Sequence, residues 1–262
     1  MRCCGSSSRS VTILDIDLDF FVTPTVLGGP LPSRRPPVDR YRPWPVDDVR
    51  RFVEERLCIP RSRSVKGRFF EEHSKVYDYL VGRGMSDIKL VHCDAHADLG
   101  SGDSSFRYIL EDLLALPVEA RIAPRCGGGD RPSSGNWITF LIAARRVASV
   151  LFVTPPQWDK PRVQDDLPKI YFKDQDPQSG IIALPHLRKN GWENWVMDPM
   201  HRRPLQNVIS FEPEVPFTRI PHSDYHGGSC PDLVLVTHSP LYVPETADCL
   251  LEVLCGYLDQ SD

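Results

Sequence analysis

The chain has 262 residues, 25% of them charged, and a formal net charge of −4. That length suits one large α/β domain, which buries roughly three quarters of its unfolded surface and can hold a rigid site. The negative balance offers no basic face for a phosphate backbone, which argues against nucleic-acid binding, and no run of about 18 apolar residues argues for a membrane helix.

Residues 1–10 lack the apolar core of a signal peptide and read as a disordered leader, so 11–262 is expected to be a single domain. The eight cysteines include no Cys-x-x-Cys pair, which argues against a zinc ribbon or redox motif. Without a secretory signal, reduced thiols in a cytoplasmic protein are expected. Residues 11–14 form an apolar, β-branched run that stops in Asp15-Ile-Asp-Leu-Asp19, the pattern of a buried strand with acids at its C-terminal end. Residues 24–46 then hold seven prolines and the basic pair Arg34-Arg35. A segment so poor in backbone donors reads as a surface loop, and its place beside the acids would suit substrate binding.

Asp47 is placed as the N-cap of a helix that buries Val49, Phe52, Val53 and Leu57 and ends at Pro60. A second helix is expected from near Glu71, burying Phe70, Tyr77 and Leu80 and stopping at Gly82 or Gly84. Residues 88–91 are a strand that again runs into acids and histidines. Leu110, Leu113, Leu114 and Leu116 suggest one helix, and a Cys-Gly-Gly-Gly loop from Cys126 follows. Residues 137–147 have a helical pattern, and 150–153 that of a buried strand. Further strands are expected at 170–172, 181–184, 207–211 and 233–236, with a closing helix at 246–258. The alternation predicts a three-layer α/β/α domain with a mostly parallel sheet, which binds ligands at the carboxyl ends of its strands. Both acidic stretches lie at such ends.

In Asp94-Ala-His96-Ala-Asp98 three ligand-type residues alternate with small ones, so in extended chain they face the same way. Carboxylates with imidazole suit manganese, iron or zinc. The bland reading is a solvated polar strand end. In the 15–19 stretch, carboxylates this close would repel and raise one another's pKa unless a dication sits among them. A helix-capping cluster is the bland alternative there.

An Asp-x-His-x-Asp strand end together with an Asp-x-Asp strand end resembles the binuclear manganese signature of the arginase-like ureohydrolases. With Asp15-Ile-Asp-Leu-Asp-Phe-Phe21 near its start, the chain is similar to the branch that contains the peptide arginases, which convert arginine residues of ribosomal peptides into ornithine and release urea. The resemblance implies an arginase-like fold, two Mn2+ ions and an arginine-containing precursor peptide as partner. It also implies a histidine ligand opening a helix upstream, and Glu71-Glu72-His73-Ser74 supplies His73, 21 residues before Asp94.

Carried over position by position, Asp94 and Asp15 would bridge the ions. His73 and Asp98 would complete one shell, and His96 and Asp17 the other; Asp98 would also steady the reacting species. Asp19 lies beyond the matching positions, as ligand, supporting acceptor or substrate contact, and His92 is expected to support the ligands by a hydrogen bond. Ser134-Gly135-Asn136 resembles the segment that holds the substrate's amino-acid end, which makes Ser134 and Asn136 substrate contacts; a plain N-cap role for Asn136 stays open. The histidine that follows this segment in arginases is replaced by Ile138 and Thr139, which leaves the proton shuttle unassigned. His238, at the end of the 233–236 strand, is a candidate for lining the pocket and acting there. Glu72 is preferred over Glu71 and Glu245 to receive a guanidinium fork. In arginases Asp-x-Asp follows Asp-x-His-x-Asp, and here it precedes it, which implies a permuted strand order. Two other readings stay open: a deacetylase-like amidase using one zinc, and a non-catalytic metal-stabilised binding protein. The residues leave a homo-oligomer open.

Overall fold

The computed structural model describes residues 10–26, 34–100, 105–124, 131–158, 167–189, 205 and 207–261. The expected leader, apart from Ser10, and the Cys126 loop fall outside the described residues. The strands are β1 (Val11–Asp17), β2 (Val22–Thr23), β3 (Arg42–Pro43), β4 (Val65–Phe70), β5 (Ile88–Cys93), β6 (Val147–Thr154), β7 (Ile181–Ile182), β8 (Pro185–Leu187), β9 (Val208–Phe211), β10 (Val215–Pro221), β11 (Leu233–Thr237) and β12 (Leu258–Asp259). The helices are α1 (Val46–Arg51), α2 (His73–Gly82), α3 (Ser105–Arg107), α4 (Trp137–Ala143) and α5 (Cys249–Cys255). Among the described residues no helix is long and apolar enough to cross a membrane.

Eight strands form one sheet in the order β12-β4-β11-β1-β5-β6-β10-β7, parallel throughout except for β7, which runs antiparallel to β10. Helices cover both faces. On one, Ile13 and Leu90 pack with Val76, Tyr77 and Leu80 of α2 and with Phe140 and Leu141 of α4. On the other, Leu14 and Ile16 pack with Val49 of α1, with Phe52 and Val53 after it, and with Leu250 and Leu254 of α5. This is the α/β, mostly parallel arrangement expected from the alternation of elements.

The period-two alternation of β1 positions the site. Ile13 faces the α2 and α4 layer, so Asp15 and Asp17 follow it to that side at the carboxyl end. The neighbouring β5 pairs His92 with Asp15 and sends Leu90 to the same face. The two acidic stretches therefore emerge from adjacent parallel strands onto one edge.

Several expected elements differ. Phe70 does not belong to the second helix; it ends β4, and α2 begins at His73. In β4 Lys66 and Arg68 alternate with a glycine, Gly67, so the apolar signal of a central strand is missing from the sequence. Gly67 is needed there, because a Cβ would lie 2.7 Å from the Val234 carbonyl and 2.6 Å from the Leu258 side chain. Asp47 lies in the first turn of α1 after Pro45, without capping it, and a π-helical turn (Phe52–Arg56) continues that helix. Leu110 and Leu113 belong to a π-helical stretch (Tyr108–Leu113) joined to α3. Val147 opens β6 instead of ending α4, and Lys169–Tyr171 is a 3-10 turn where a strand was expected. β9 pairs with β8 away from the main sheet, and β10 was not foreseen because Pro216 and Pro221 obscure it. The closing helix is shorter than expected and gives way to β12.

Candidate metal centre

Four chain segments meet at the carboxyl edge: the ends of β1 and β5, the start of α2 after β4, and the turn after β11. β1 ends in a 3-10 turn (Leu18–Phe21) that Asp17 caps by accepting the Asp19 backbone N–H at 2.9 Å. That turn breaks the strand's alternation and swings Asp19 back over β5, where it accepts the Ala95 N–H at 3.1 Å. After β5 the chain coils so that Asp94 accepts the His96 N–H at 2.7 Å, and Asp98 takes a left-handed conformation with φ near 50°. Ser239, after β11, is also left-handed, at φ 48°. Non-glycine residues adopt that conformation seldom, and such outliers gather where a side chain must be aimed.

Asp15, Asp17, Asp19, His73, His92, Asp94 and Asp98 are all buried, while His96 is partly exposed. His73 sits at the centre. Its Nε2 lies 3.2 Å from Asp15 Oδ2, and its Nδ1 lies 3.1 Å from Asp98, 3.2 Å from Asp17 and 3.8 Å from Asp94. His96 Nδ1 is 2.9 Å from Asp19 Oδ2 and 3.7 Å from Asp94, while its Nε2 meets the Val26 carbonyl at 3.0 Å. Each of these imidazoles thus has one nitrogen braced by an acceptor and the other facing carboxylates, the usual disposition of a metal-binding histidine. His92 differs, since Asp15 Oδ2 at 2.7 Å and the His96 carbonyl at 3.1 Å meet its two nitrogens.

Among the described residues, four sets of side chains are close enough to share a cation, their donor atoms lying within 4.8 Å of one another: Asp17, His73, Asp94; Asp19, Asp94, His96; His92, Asp94, Asp98; and Asp15, His73, His92. All six expected ligands therefore come together, and Asp19 and His92 join them. Asp94 belongs to three of the four sets, the position a bridging carboxylate would need. Asp15 meets the cluster through two imidazoles, and Asp19 stands beside His96 where Asp17 was expected.

The charge balance is unfavourable without a cation. Burial and the charge of Asp19 push Asp17 well above the usual carboxylate range. Burial, with Asp19, Asp98 and Asp17 nearby, does the same to Asp94. Asp15 goes the other way: burial would raise it, but the charge of His73 and hydrogen bonds from His73 and His92 hold it down at about 2. Burial also disfavours a charged His73, yet Asp15 and Asp98 lift its pKa well above 6.5. Two buried oxygens, Asp15 Oδ1 and Asp94 Oδ2, accept no hydrogen bond. Buried carboxylate oxygens are costly when unpaired, and a cation among them satisfies both oxygens and charge. The donor set fits a hard or borderline dication, and the identity and number of ions are not fixed by it.

Residues the motifs did not single out complete the site. The Trp137 indole N–H donates to Asp98 Oδ2 at 2.6 Å while its ring stacks on His73 at 5.5 Å. The Ser239 hydroxyl donates to Asp17 Oδ2 at 2.5 Å, and the Tyr242 ring meets His96 edge-on at 4.9 Å. Tyr242 also forms one wall of a groove of about 730 Å³ that contains Glu72, Ser134, Asp78 and Tyr77. The expected substrate contacts Glu72 and Ser134 thus share one groove, which none of the clustered acids or histidines lines and whose Tyr242 wall touches His96. Asn136 does not line it: buried, it accepts the Ser133 N–H at 2.7 Å through its side chain and braces the loop. Nor does His238, whose Nδ1 lies 3.1 Å from Glu71 and Nε2 3.0 Å from Asp248.

No family model, no curated protein and no solved structure matches this chain.

Proposed function

We propose that this protein is a metal-dependent hydrolase with two Mn2+ ions, acting on the guanidino carbon of arginine residues in a peptide to give ornithine and urea. The observation that carries this reading is the recurrence of Asp94 in three overlapping donor sets, one with Asp17 and His73 and one with Asp19 and His96. Asp17, His73, Asp94 and Asp98 would hold one ion, and Asp19, Asp94 and His96 the other. Bound in pairs, such ions lower the pKa of water toward neutrality and offset negative charge that develops on the reacting carbon's substituents.

The chain's own groups do the rest. Asp15 braces His73 and the Val26 carbonyl braces His96, each at Nε2, which leaves each Nδ1 facing the carboxylates that would share an ion with it. Trp137 and Ser239 fix the directions of Asp98 and Asp17. Glu72, exposed at the mouth of the groove one residue before His73, offers a carboxylate to a guanidinium fork. The groove's volume falls in the range of roughly 300–1,000 Å³ typical of ligand sites, and Ser134 on its far wall suits peptide backbone.

The test loads the protein with Mn2+, counts metal per chain, and offers an arginine-containing peptide beside free arginine. The expected result is two ions and a loss of about 42 Da per modified arginine with release of urea, faster for the peptide. The absence of both urea and mass loss with fully loaded protein would rule the reading out. A single zinc ion with cleavage of acyl-lysine would support the amidase instead.

A further inference from the structure

The basic pair Arg34-Arg35 has no part in the site as described so far. Arg35 nevertheless reaches far from its own segment. Its Nη1 and Nη2 donate to the two carboxylate oxygens of Asp248 at 2.7 and 2.5 Å, a bidentate fork. Its Nε donates to the Val243 carbonyl and Nη2 to the Pro244 carbonyl, each at 3.1 Å. One guanidinium thus ties two carbonyls and a carboxylate of the stretch 239–248 into a single plane.

That stretch carries the two groups that touch the metal centre from the β11 side, Ser239 on Asp17 and Tyr242 against His96. A turn links them, the Tyr242 N–H donating to the Ser239 carbonyl at 2.8 Å. Pro240 and Pro244 have no N–H, so the stretch cannot brace itself at those positions. Asp248 also meets His238, which meets Glu71, two residues before His73. The Ser239 N–H donates to the Glu71 carbonyl at 3.0 Å. The fork therefore closes a polar chain that runs from the proline-rich segment to the start of α2.

We infer that Arg35 is a positioning residue of the metal centre: its guanidinium clamps 239–248 so that Ser239 stays on Asp17 and Tyr242 on His96. This rests on the cluster being a metal centre. Lysine cannot replace it, because a point charge makes no fork and cannot also reach two carbonyls. Were the contact an ordinary surface ion pair, its loss would leave the centre unchanged.

The test compares wild type with Arg35→Ala, Arg35→Lys and Asp248→Asn in the full chain, with thermal unfolding to establish that each is folded. Two properties are read: Mn2+ affinity from the spin-resonance signal of the free ion, and amide hydrogen exchange of 239–248 in metal-free protein. Arg35→Ala and Asp248→Asn are expected to weaken Mn2+ binding about tenfold, the lower end for groups that orient ligands from outside. Arg35→Lys should resemble Arg35→Ala. Exchange should rise across 239–248 and stay unchanged in β10. Guanidinium ion at about 10 mM, far below denaturing concentrations, should restore Arg35→Ala and leave Asp248→Asn impaired. Wild-type affinity and exchange in Arg35→Ala would overturn the inference, as would full function in Arg35→Lys. If wild-type protein takes up no Mn2+, the metal reading itself has failed, and exchange alone then decides the clamp: unchanged protection in Arg35→Ala refutes it.

Discussion

Two buried charged clusters in this molecule are built on opposite plans. On the face with α4, Glu212 takes Arg121 Nη1 on one oxygen at 3.0 Å and Arg145 Nε on the other at 2.7 Å. Arg121 gives three further N–H groups to the carbonyls of Leu116, Ala143 and Leu114, each at 2.9 Å. Here the buried charges of Arg121 and Glu212 meet each other, and Arg145 reaches in from the exposed surface. At the carboxyl edge, by contrast, five carboxylates face three imidazoles, and two carboxylate oxygens accept no hydrogen bond. A buried charge is tolerated when it is paired and fully bonded, and left unpaired it costs several kcal/mol. The first cluster therefore pairs its buried charges within the chain, and the second has the donors to take a cation.

The contrast can be broken most severely at Glu212. Glu212→Ala should cost about 3–5 kcal/mol in urea unfolding, because Arg121 is left buried without its partner. The loss should be the same with and without Mn2+, and a loss below about 1 kcal/mol would show that the pair is not a buried anchor. An effect of opposite kind, smaller for each ion, is expected at the edge. Mn2+ at about a hundred times its dissociation constant should stabilise the wild type by about 2.7 kcal/mol per bound ion, and Asp94→Ala should abolish that gain. A gain that survives in Asp94→Ala would remove Asp94 from the centre.

The subtlest difference is in pH. His73 is lifted above 6.5 and Asp94 and Asp17 above the carboxylate range, so the folded metal-free chain binds more protons than the unfolded one. Its stability should therefore fall as pH rises, above 3.8 for the two carboxyls and above 6.5 for His73, and saturating Mn2+ should flatten that slope. Asp15 has the opposite sign, since a carboxyl held at about 2 contributes stability that is lost as pH falls below about 4. Urea midpoints across the range, with and without metal, decide both.

Much of the centre was legible because it obeys simple periods. Asp15 and Asp17 alternate on β1, and His92 and Asp94 share a phase at the end of β5, while His73, which opens α2, came only from the family resemblance. The role of Asp19 stayed open because the 3-10 turn after Asp17 abandons the strand's period, and no count of two can follow a chain through that turn. Trp137, Ser239 and Tyr242 carried no signal, as each reaches the cluster from a segment remote in sequence, Trp137 from 39 positions beyond Asp98. The same limit hid β4 and β10. Charges, a glycine and prolines interrupt their apolar pattern, and only pairing with neighbours makes them strands.

The sheet's rims have a consequence for handling the protein. β12 and β7, the outermost strands, are two residues each, which leaves another chain little backbone to pair with. Leu258 does more than end the sheet, since it fills the hollow that Gly67 leaves in β4. Trimming the chain before Leu258 would free Val65 and Lys66 of β4 from their partners and take the Leu258 side chain from beside Gly67. Such a shortened protein should pair edge to edge through β4 and precipitate from concentrated solution while the candidate cluster at the carboxyl ends of β1 and β5 is still intact.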